Sequence, residues 1–225
     1  STGAFPNSFS GNAGATTTAT SFIFGAGTGT IVPNTTYYFQ TEAANTTSTS
    51  GFISLGSTSS LAALPTGVSF NVIASSSISL SWSGASNATG TVFTVLYSTA
   101  SSPSSPAGAT VITSATLNTS LTASGLNGAT TYYFQVKATN NNGVPTAYTS
   151  VASTVTGGIP LTAAAFSNVF ASSLTANWLS AYSAGGVTYY SQLSTGAFPN
   201  SFTGNASSNT FNLYADFTGL TANTS

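Results

Sequence analysis

The sequence SISLSW at residues 77–82 alternates strictly between polar and apolar side chains. Successive side chains of a β-strand point to opposite faces, so Ile78, Leu80 and Trp82 would share one face and the serines the other. This pattern is typical of a strand that buries one face in a core and exposes the other to water. Residues 77–82 therefore predict a half-buried β-strand.

Similar strand-like segments lie on both sides of this one. In TYYFQVKATN at residues 131–140, the alternation places Tyr132, Phe134, Val136 and Ala138 on the inward face. The other segments are VSFNVI at 68–73, TVFTVLYST at 91–99, TSLTASGL at 119–126 and YTSVASTVT at 148–156, with a loop marked by Pro103, Pro106 and Gly108 and a turn at 140–143. Turn residues separate the segments and none has a helical period, so we expect an all-β, antiparallel β-sandwich.

Internal repeats divide the chain into modules. The segment STGAFPNSFSGNA at 1–13 returns at 194–206 with one change, and Tyr37 in PNTTYYFQ lies 95 positions before Tyr132 in GATTYYFQ. Each unit is therefore about 95 residues long, and alternate units are the most alike. The predicted modules are the later part of a first at 1–64, a complete one at 65–159, and the earlier part of a third at 160–225.

Several landmarks of these modules resemble the fibronectin type III family. Trp82 and Trp178 are similar to the core tryptophan of its second strand. The segments LNGATTY at 126–132 and IVPNTTY at 31–37 resemble its Leu-x-Pro-x-Thr-x-Tyr motif, and a third copy starts at Leu220. The resemblance implies tandem immunoglobulin-like sandwiches in which the hydroxyls of Tyr37 and Tyr132 return to the preceding corner of the backbone.

A module that lacks its first strands would expose apolar side chains and unpaired strand edges. One explanation is that residues outside this sequence complete the end modules. The other is that strands from the tail of one chain complete the head of the next. The sequence favours the first explanation, because residues 194–225 repeat what the head already contains.

Charged residues are almost missing from the sequence. Only 1% of residues are charged, and these are Glu42, Lys137 and Asp216. So little charge gives almost no repulsion between molecules and favours self-association, as in a homopolymer. A single lysine also excludes the basic patch that nucleic-acid binding needs. No apolar run is long enough for a membrane-spanning helix.

The residues that usually carry catalysis are missing too. Without His or Cys, the chain lacks the usual general base, the thiol nucleophile and the nitrogen or sulfur ligands of metals. The carboxylates Glu42 and Asp216 could form a glycosidase pair, but they fall at different points of different modules. We therefore expect no enzyme activity, no cofactor and no metal.

Two of the charged residues occupy equivalent positions of successive modules. Glu42 and Lys137 lie 95 positions apart, and each follows two outward residues of an alternating strand, Tyr38 and Gln40 or Tyr133 and Gln135. If modules packed side by side in register, the acid of one would face the base of another. The attraction would then favour this alignment of the modules over shifted ones. The alternative is a coincidence between two solvated charges.

The sequence holds six Asn-x-Ser/Thr motifs that are candidate N-glycosylation sites. Their asparagines are Asn34, Asn45, Asn87, Asn118, Asn205 and Asn223. Sugars could keep a surface with so few charges wetted, although a chain rich in Asn, Ser and Thr produces such motifs by chance.

These features predict a structural protein. We expect a subunit of a filament, sheath or surface layer that is secreted or lies on the surface of a prokaryotic cell, with copies of itself as partners. The alternative is a stalk or carbohydrate-binding accessory region of a secreted adhesin or polysaccharide hydrolase. In that case outward tyrosines such as Tyr38, Tyr133 and Tyr190 would stack on sugar rings.

Overall fold

In a computed structural model of the chain, every regular element of the described residues is a β-strand. The described residues are 14–24, 30–105, 111–158, 160–180, 187–195 and 206–222. Their strands are β1 (Thr36–Thr41), β2 (Ile53–Ser59), β3 (Thr66–Ile73), β4 (Ser77–Ser83), β5 (Val92–Ser98), β6 (Val111–Thr116), β7 (Ser120–Ser124), β8 (Thr131–Thr139), β9 (Ala152–Val155), β10 (Leu161–Ala163), β11 (Ser167–Phe170), β12 (Ser173–Ser180), β13 (Tyr189–Leu193), β14 (Ala206–Thr210) and β15 (Tyr214–Thr218). Nothing in this part of the chain is a helix of the length and hydrophobicity needed to cross a membrane.

The chain forms two compact units. The first unit comprises Ser1–Val72, Ser79–Ala123 and Tyr132–Thr154, and the second comprises Ile73–Ile78, Ser124–Thr131 and Val155–Ser225. The module boundaries predicted above stay a prediction.

Most of one antiparallel β-sandwich lies in the first unit. Its sheets have the strand orders β3-β4-β7 and β6-β5-β8-β9. In the second sheet Val95 pairs with Val136 of β8 and with Ser114 of β6. The all-β prediction and the predicted strands over 68–73, 77–82, 91–99, 119–126 and 131–140 are confirmed, within a few residues at each end.

Two parts of this sheet differ from the prediction. β6 was not predicted as a strand, because its sequence VITSAT does not alternate strictly. The predicted strand at 148–156 is shorter and forms only as β9. Before β9, Thr149 donates its N–H to the carbonyl of Val136 while its hydroxyl accepts the N–H of Val136. A side chain thus replaces a backbone acceptor and interrupts the regular ladder.

Aromatic side chains fill the core between the two sheets. Phe134 is fully buried, with its ring centroid 5.4 Å from those of both Phe70 and Tyr97. The ring of Trp82 meets that of Phe93 edge to face at 5.7 Å. Such aromatic pairs add stability beyond the area that they bury.

The first unit also contains a β-hairpin formed by β1 and β2. The hydroxyl of Tyr37 accepts a hydrogen bond of 2.8 Å from the N–H of Val32 and so ties the strand to the preceding corner. Large apolar side chains of this hairpin remain open to solvent, with Ile53 62% and Leu55 63% exposed. In the sandwich, by contrast, the strands of a second sheet cover the apolar face.

The second unit contains further antiparallel sheets. β12 pairs with β10, β11 and β15, and β13 pairs with β14. Trp178 and Tyr189 lie 5.6 Å apart in a small core with Ala215 and Phe217. Trp178 occupies the same place in this core as Trp82 does in the sandwich.

The stability of the sandwich should fall at alkaline pH because of the buried Tyr97. Burial raises the pKa of Tyr97 above its ordinary value of 10.0, and the nearby Tyr132 raises it further. The folded state therefore retains a proton that the unfolded state loses, so this contribution is complete below pH 10 and is lost as the pH rises further. Thermal melts at pH 8, 10 and 11 should show a smaller alkaline loss for Tyr97→Phe than for the unaltered chain. Tyr190→Phe, at an exposed position, should not reduce that loss.

Candidate functional site: the junction between two repeats

The candidate site is the junction between the β1–β2 hairpin and the sandwich that follows it. Backbone and side chains at residues 33–36 and 58–63 meet two loops of the sandwich, at 87–91 and 140–142. All of these residues belong to the first compact unit. The hydrogen bonds between them include those made by the side-chain amides of four asparagines, Asn34, Asn87, Asn140 and Asn142.

Asn34 is the centre of this junction. Its side chain is 1% exposed, and its Nδ2 donates a hydrogen bond of 2.7 Å to the hydroxyl of Thr91. Its Oδ1 accepts the backbone N–H of Asn141, also at 2.7 Å. The hydroxyl of Thr91, itself buried, donates onward to the carbonyl of Ala88 at 2.6 Å. Both ends of the Asn34 amide are therefore paired with the next module.

The backbone at Asn34 explains how its side chain reaches the neighbour. Asn34 has a φ of 51°, in the left-handed region that asparagine tolerates better than most residues. Its N–H donates to the carbonyl of Leu61, which ties the corner before β1 to the residues that follow β2. The corner holds the residue in this conformation, and its side chain meets the loops of the sandwich.

Asn87 forms a second clamp. Its Oδ1 accepts the N–H of Ala63 and its Nδ2 donates to the carbonyl of Ala63, both at 2.8 Å. The side-chain amide thus imitates a neighbouring strand and fixes the linker between the modules. Close by, the N–H of Ala88 donates to the carbonyl of Pro33 at 3.1 Å.

The asparagines at 140–142 form a third set of contacts. Asn140 donates from Nδ2 to the carbonyl of Ser60 at 3.1 Å, and Asn142 donates from Nδ2 to the hydroxyl of Thr58 at 2.9 Å. The Oδ1 of Asn140 accepts the N–H groups of Asn142 and Val144, which fixes the shape of its own loop. The shape of the loop is therefore supported by hydrogen bonds of its own as well as by those to the hairpin.

These contacts make the junction a specific interface without charge. Each hydrogen bond contributes a net ~0.5–1.5 kcal/mol, whereas leaving a buried partner unpaired costs about 1–3 kcal/mol. The amide of Asn34 and the hydroxyl of Thr91 are both buried, so each depends on the other. Because no ionised group takes part, salt should have little effect on the junction.

The charged residues lie elsewhere. Glu42 is exposed, and the Nζ of Lys137 lies 4.9 Å from the ring centroid of Tyr148 in a cation–π contact. The pairing of Glu42 with Lys137 between modules stays a prediction. Asp216 is in the second unit, where its Oδ1 accepts a hydrogen bond of 2.6 Å from the hydroxyl of Thr175.

The candidate glycosylation sites fall into different environments. Asn34 and Asn87 use their Nδ2 groups inside the junction, so a sugar on either nitrogen would displace those hydrogen bonds. Asn45 and Asn118 are exposed. Asn205 and Asn223 lie outside the described residues. Glycosylation stays a prediction.

From the sequence alone, Asn34 is predicted only as a glycosylation candidate and residues 140–143 only as a turn. Thr91 and Asn141 are not predicted as functional residues. One difference between the repeats could have pointed to Asn34. In the segments PNTTYY and GATTYY, Asn34 of the first copy is replaced by Ala129 in the second, which has no side-chain amide.

The model of the family described as "Fibronectin type III domain" matches residues 63–155. No curated protein matches the sequence.

Three of the similar solved structures come from animals. A two-domain fibronectin type III segment of chicken tenascin is 16% identical, with a TM-score of 0.44, over 72% of this chain and 86% of that one. A domain of human fibronectin type III domain containing protein 3 is 21% identical, with a TM-score of 0.35, over 43% of this chain and 87% of that one. The FN5 domain of Drosophila Lar is 18% identical, with a TM-score of 0.32, over 42% of this chain and 95% of that one.

The Asn87 clamp predicts a local change in hydrogen exchange. Asn87→Ala removes the acceptor of the Ala63 N–H, so exchange of that amide should accelerate about tenfold, as expected for the loss of roughly 1.4 kcal/mol. Asn118→Ala, at an exposed position, is the control and should leave the exchange of Ala63 unchanged. Unaltered exchange in Asn87→Ala would contradict the clamp.

If the chain carries N-linked sugars, their distribution should follow the junction. Glycopeptide mass spectrometry should find sugars at Asn45 or Asn118 and find Asn34 and Asn87 unoccupied, because only the latter two use Nδ2 inside the fold. A fully occupied Asn34 in folded protein would be incompatible with its hydrogen bond to Thr91.

Proposed function

The chain carries a fibronectin type III domain at residues 63–155, and from this premise we propose that it is a structural subunit of an extracellular filament, sheath or surface layer. Domains of this family are generally structural or binding modules and are common in extracellular proteins. The proposed location is outside a prokaryotic cell, and the proposed partners are copies of the same chain. The observation that carries the proposal is the buried, charge-free junction around Asn34.

A filament needs modules that hold a fixed orientation to one another. Relative motion is the default for domains joined by a small polar interface. Here two loops of the sandwich grip the hairpin at three places, through Asn34, Asn87 and Asn140. Contacts at separate points resist bending as well as pulling, which suits a subunit that bears mechanical load.

The exposed apolar face of the β1–β2 hairpin supports self-association. Phe39 occupies the same repeat position as Phe134, which is fully buried, yet Phe39 is only half-buried beside Phe24 at 5.7 Å. Phe134 is covered by Phe70 of β3, in the sheet that also contains β4 with Trp82. β12 carries Trp178, the repeat equivalent of Trp82. We therefore expect strands of this type from another copy to cover the hairpin, as in strand complementation.

Electron microscopy of the full chain at neutral pH tests this function. We expect ordered filaments or sheets with an axial repeat of one or two modules. Phe39→Ala should reduce the assembled fraction at least tenfold, because it removes an apolar side chain from the proposed contact. Ser57→Ala, on the same hairpin, is the matched control and should assemble normally.

Isolated, flexible strings of modules would overturn the filament proposal. Normal assembly of Phe39→Ala would overturn only the proposed role of the hairpin face.

One observation favours a second candidate, a carbohydrate-binding accessory region. The ring of Tyr190 is 63% exposed, and its hydroxyl accepts a hydrogen bond of 3.1 Å from Nε2 of Gln192. An exposed aromatic ring next to an amide is suited to stacking on a sugar and bonding its hydroxyls. Binding of a polysaccharide that Tyr190→Ala abolishes, without filaments, would favour this candidate.

A further inference from the structure

The sequence allows the junction around Asn34 to be compared with the next one along the chain. From Trp82 to Phe93, each position corresponds to the position 96 residues later, so that Trp82 corresponds to Trp178 and Phe93 to Tyr189. The two rings of each pair lie in contact, at 5.7 Å in the first copy and 5.6 Å in the second. The corner segment PNTTYYFQ at 33–40 corresponds in the same way to GATTYYFQ at 128–135.

The two corners have the same backbone structure. Asn34 donates its N–H to Leu61 at 3.1 Å, and Ala129 donates its N–H to the equivalent Gly157 at 3.0 Å. The φ angles of Asn34 and Ala129 are 51° and 49°. The residue after each corner donates its N–H to an equivalent hydroxyl, that of Ser60 in the first corner and that of Thr156 in the second. Positions 34 and 129 are therefore structurally equivalent.

Both members of the central hydrogen bond change together between the two junctions. Asn34 becomes Ala129, and its partner Thr91 corresponds to Val187. Threonine and valine have nearly the same shape but differ by a hydroxyl, and alanine is smaller than asparagine and lacks its amide. The second pair has therefore lost the polar groups of the first. A polar pair at one junction thus corresponds to an apolar pair at the next.

We infer that the repeats carry two types of junction, a polar Asn–Thr type and an apolar Ala–Val type, which determine which module can dock on which corner. The partner of the Asn34 corner is a module with a threonine at the position of Thr91. Docked on a module with valine there, Asn34 would keep a buried Nδ2 without an acceptor, at a cost of tenfold or more in the docking equilibrium.

Alternation of the two types would keep the modules in order. Tandem repeats misfold when neighbouring modules exchange elements or dock out of sequence. With two types, a corner of the Asn34 type rejects modules that carry valine at the position of Thr91, both within one chain and between copies. The inference deepens the proposed function, since it names the partner that the Asn34 junction accepts.

A double-mutant cycle in the full chain tests the inference. The variants are Asn34→Ala, Thr91→Val and the double variant, which reproduces the apolar pair of the second junction. The readout is hydrogen exchange of the Ala88 amide. This N–H donates across the junction to the carbonyl of Pro33, so its own hydrogen bond involves neither of the altered side chains. Exchange at Val95, in the buried core, reports whether the sandwich remains folded.

We expect Thr91→Val to accelerate the exchange of Ala88 by tenfold or more, because it leaves the Asn34 amide unpaired. The double variant should exchange more slowly than Thr91→Val alone. Thr91→Ser, which retains the hydroxyl, is the matched comparison and should accelerate the exchange of Ala88 much less than Thr91→Val does.

Two results would overturn the inference in distinguishable ways. If the effects of the single variants simply multiply in the double variant, the junction is real but does not discriminate between partners, and the proposed function stands. If neither single variant changes the exchange of Ala88, the Asn34 contact does not hold the junction, and the structural role proposed for it fails as well.

Discussion

The structure of the first compact unit depends on one constraint, that the buried amide of Asn34 must be paired at both ends. An unpaired amide in an apolar interior is costly, and here the hydroxyl of Thr91 and the N–H of Asn141 satisfy it. Those two partners lie on different loops of the sandwich, so the amide can be satisfied only when both loops are in place. A single side chain therefore fixes the hairpin against the next module in more than one direction.

The near absence of charged residues explains why the junction is held by amides and hydroxyls. With 1% charged residues, the protein cannot use ion-pair networks to orient its modules. Amides and hydroxyls take their place, as in the clamp that Asn87 forms on both backbone groups of Ala63. Neutral hydrogen bonds are little affected by salt and do not titrate near neutral pH, so the junction should keep its geometry over a wide range of salt concentration and pH.

Sequence periodicity predicted the strands whose apolar residues alternate. It did not predict the features that depend on contacts between residues far apart in the chain. The strands around Trp82 and Phe134 were predictable because their inward residues recur every second position. β6 was not, and β9 is shorter than expected because the hydroxyl of Thr149 replaces a backbone acceptor. The junction could not be predicted either, since the hydrogen bond of Asn34 to Asn141 joins residues 107 positions apart. No local pattern encodes such a contact.

Comparison of the two corners separates the local role of Asn34 from its role in docking. Asparagine tolerates a positive φ better than alanine, so local conformation alone could explain its presence. Ala129, however, adopts the same conformation with a φ of 49° and keeps the same backbone hydrogen bond. The corner therefore does not require asparagine. What distinguishes position 34 is the group that it meets, Thr91, and so the amide of Asn34 is explained by the neighbouring module rather than by its own.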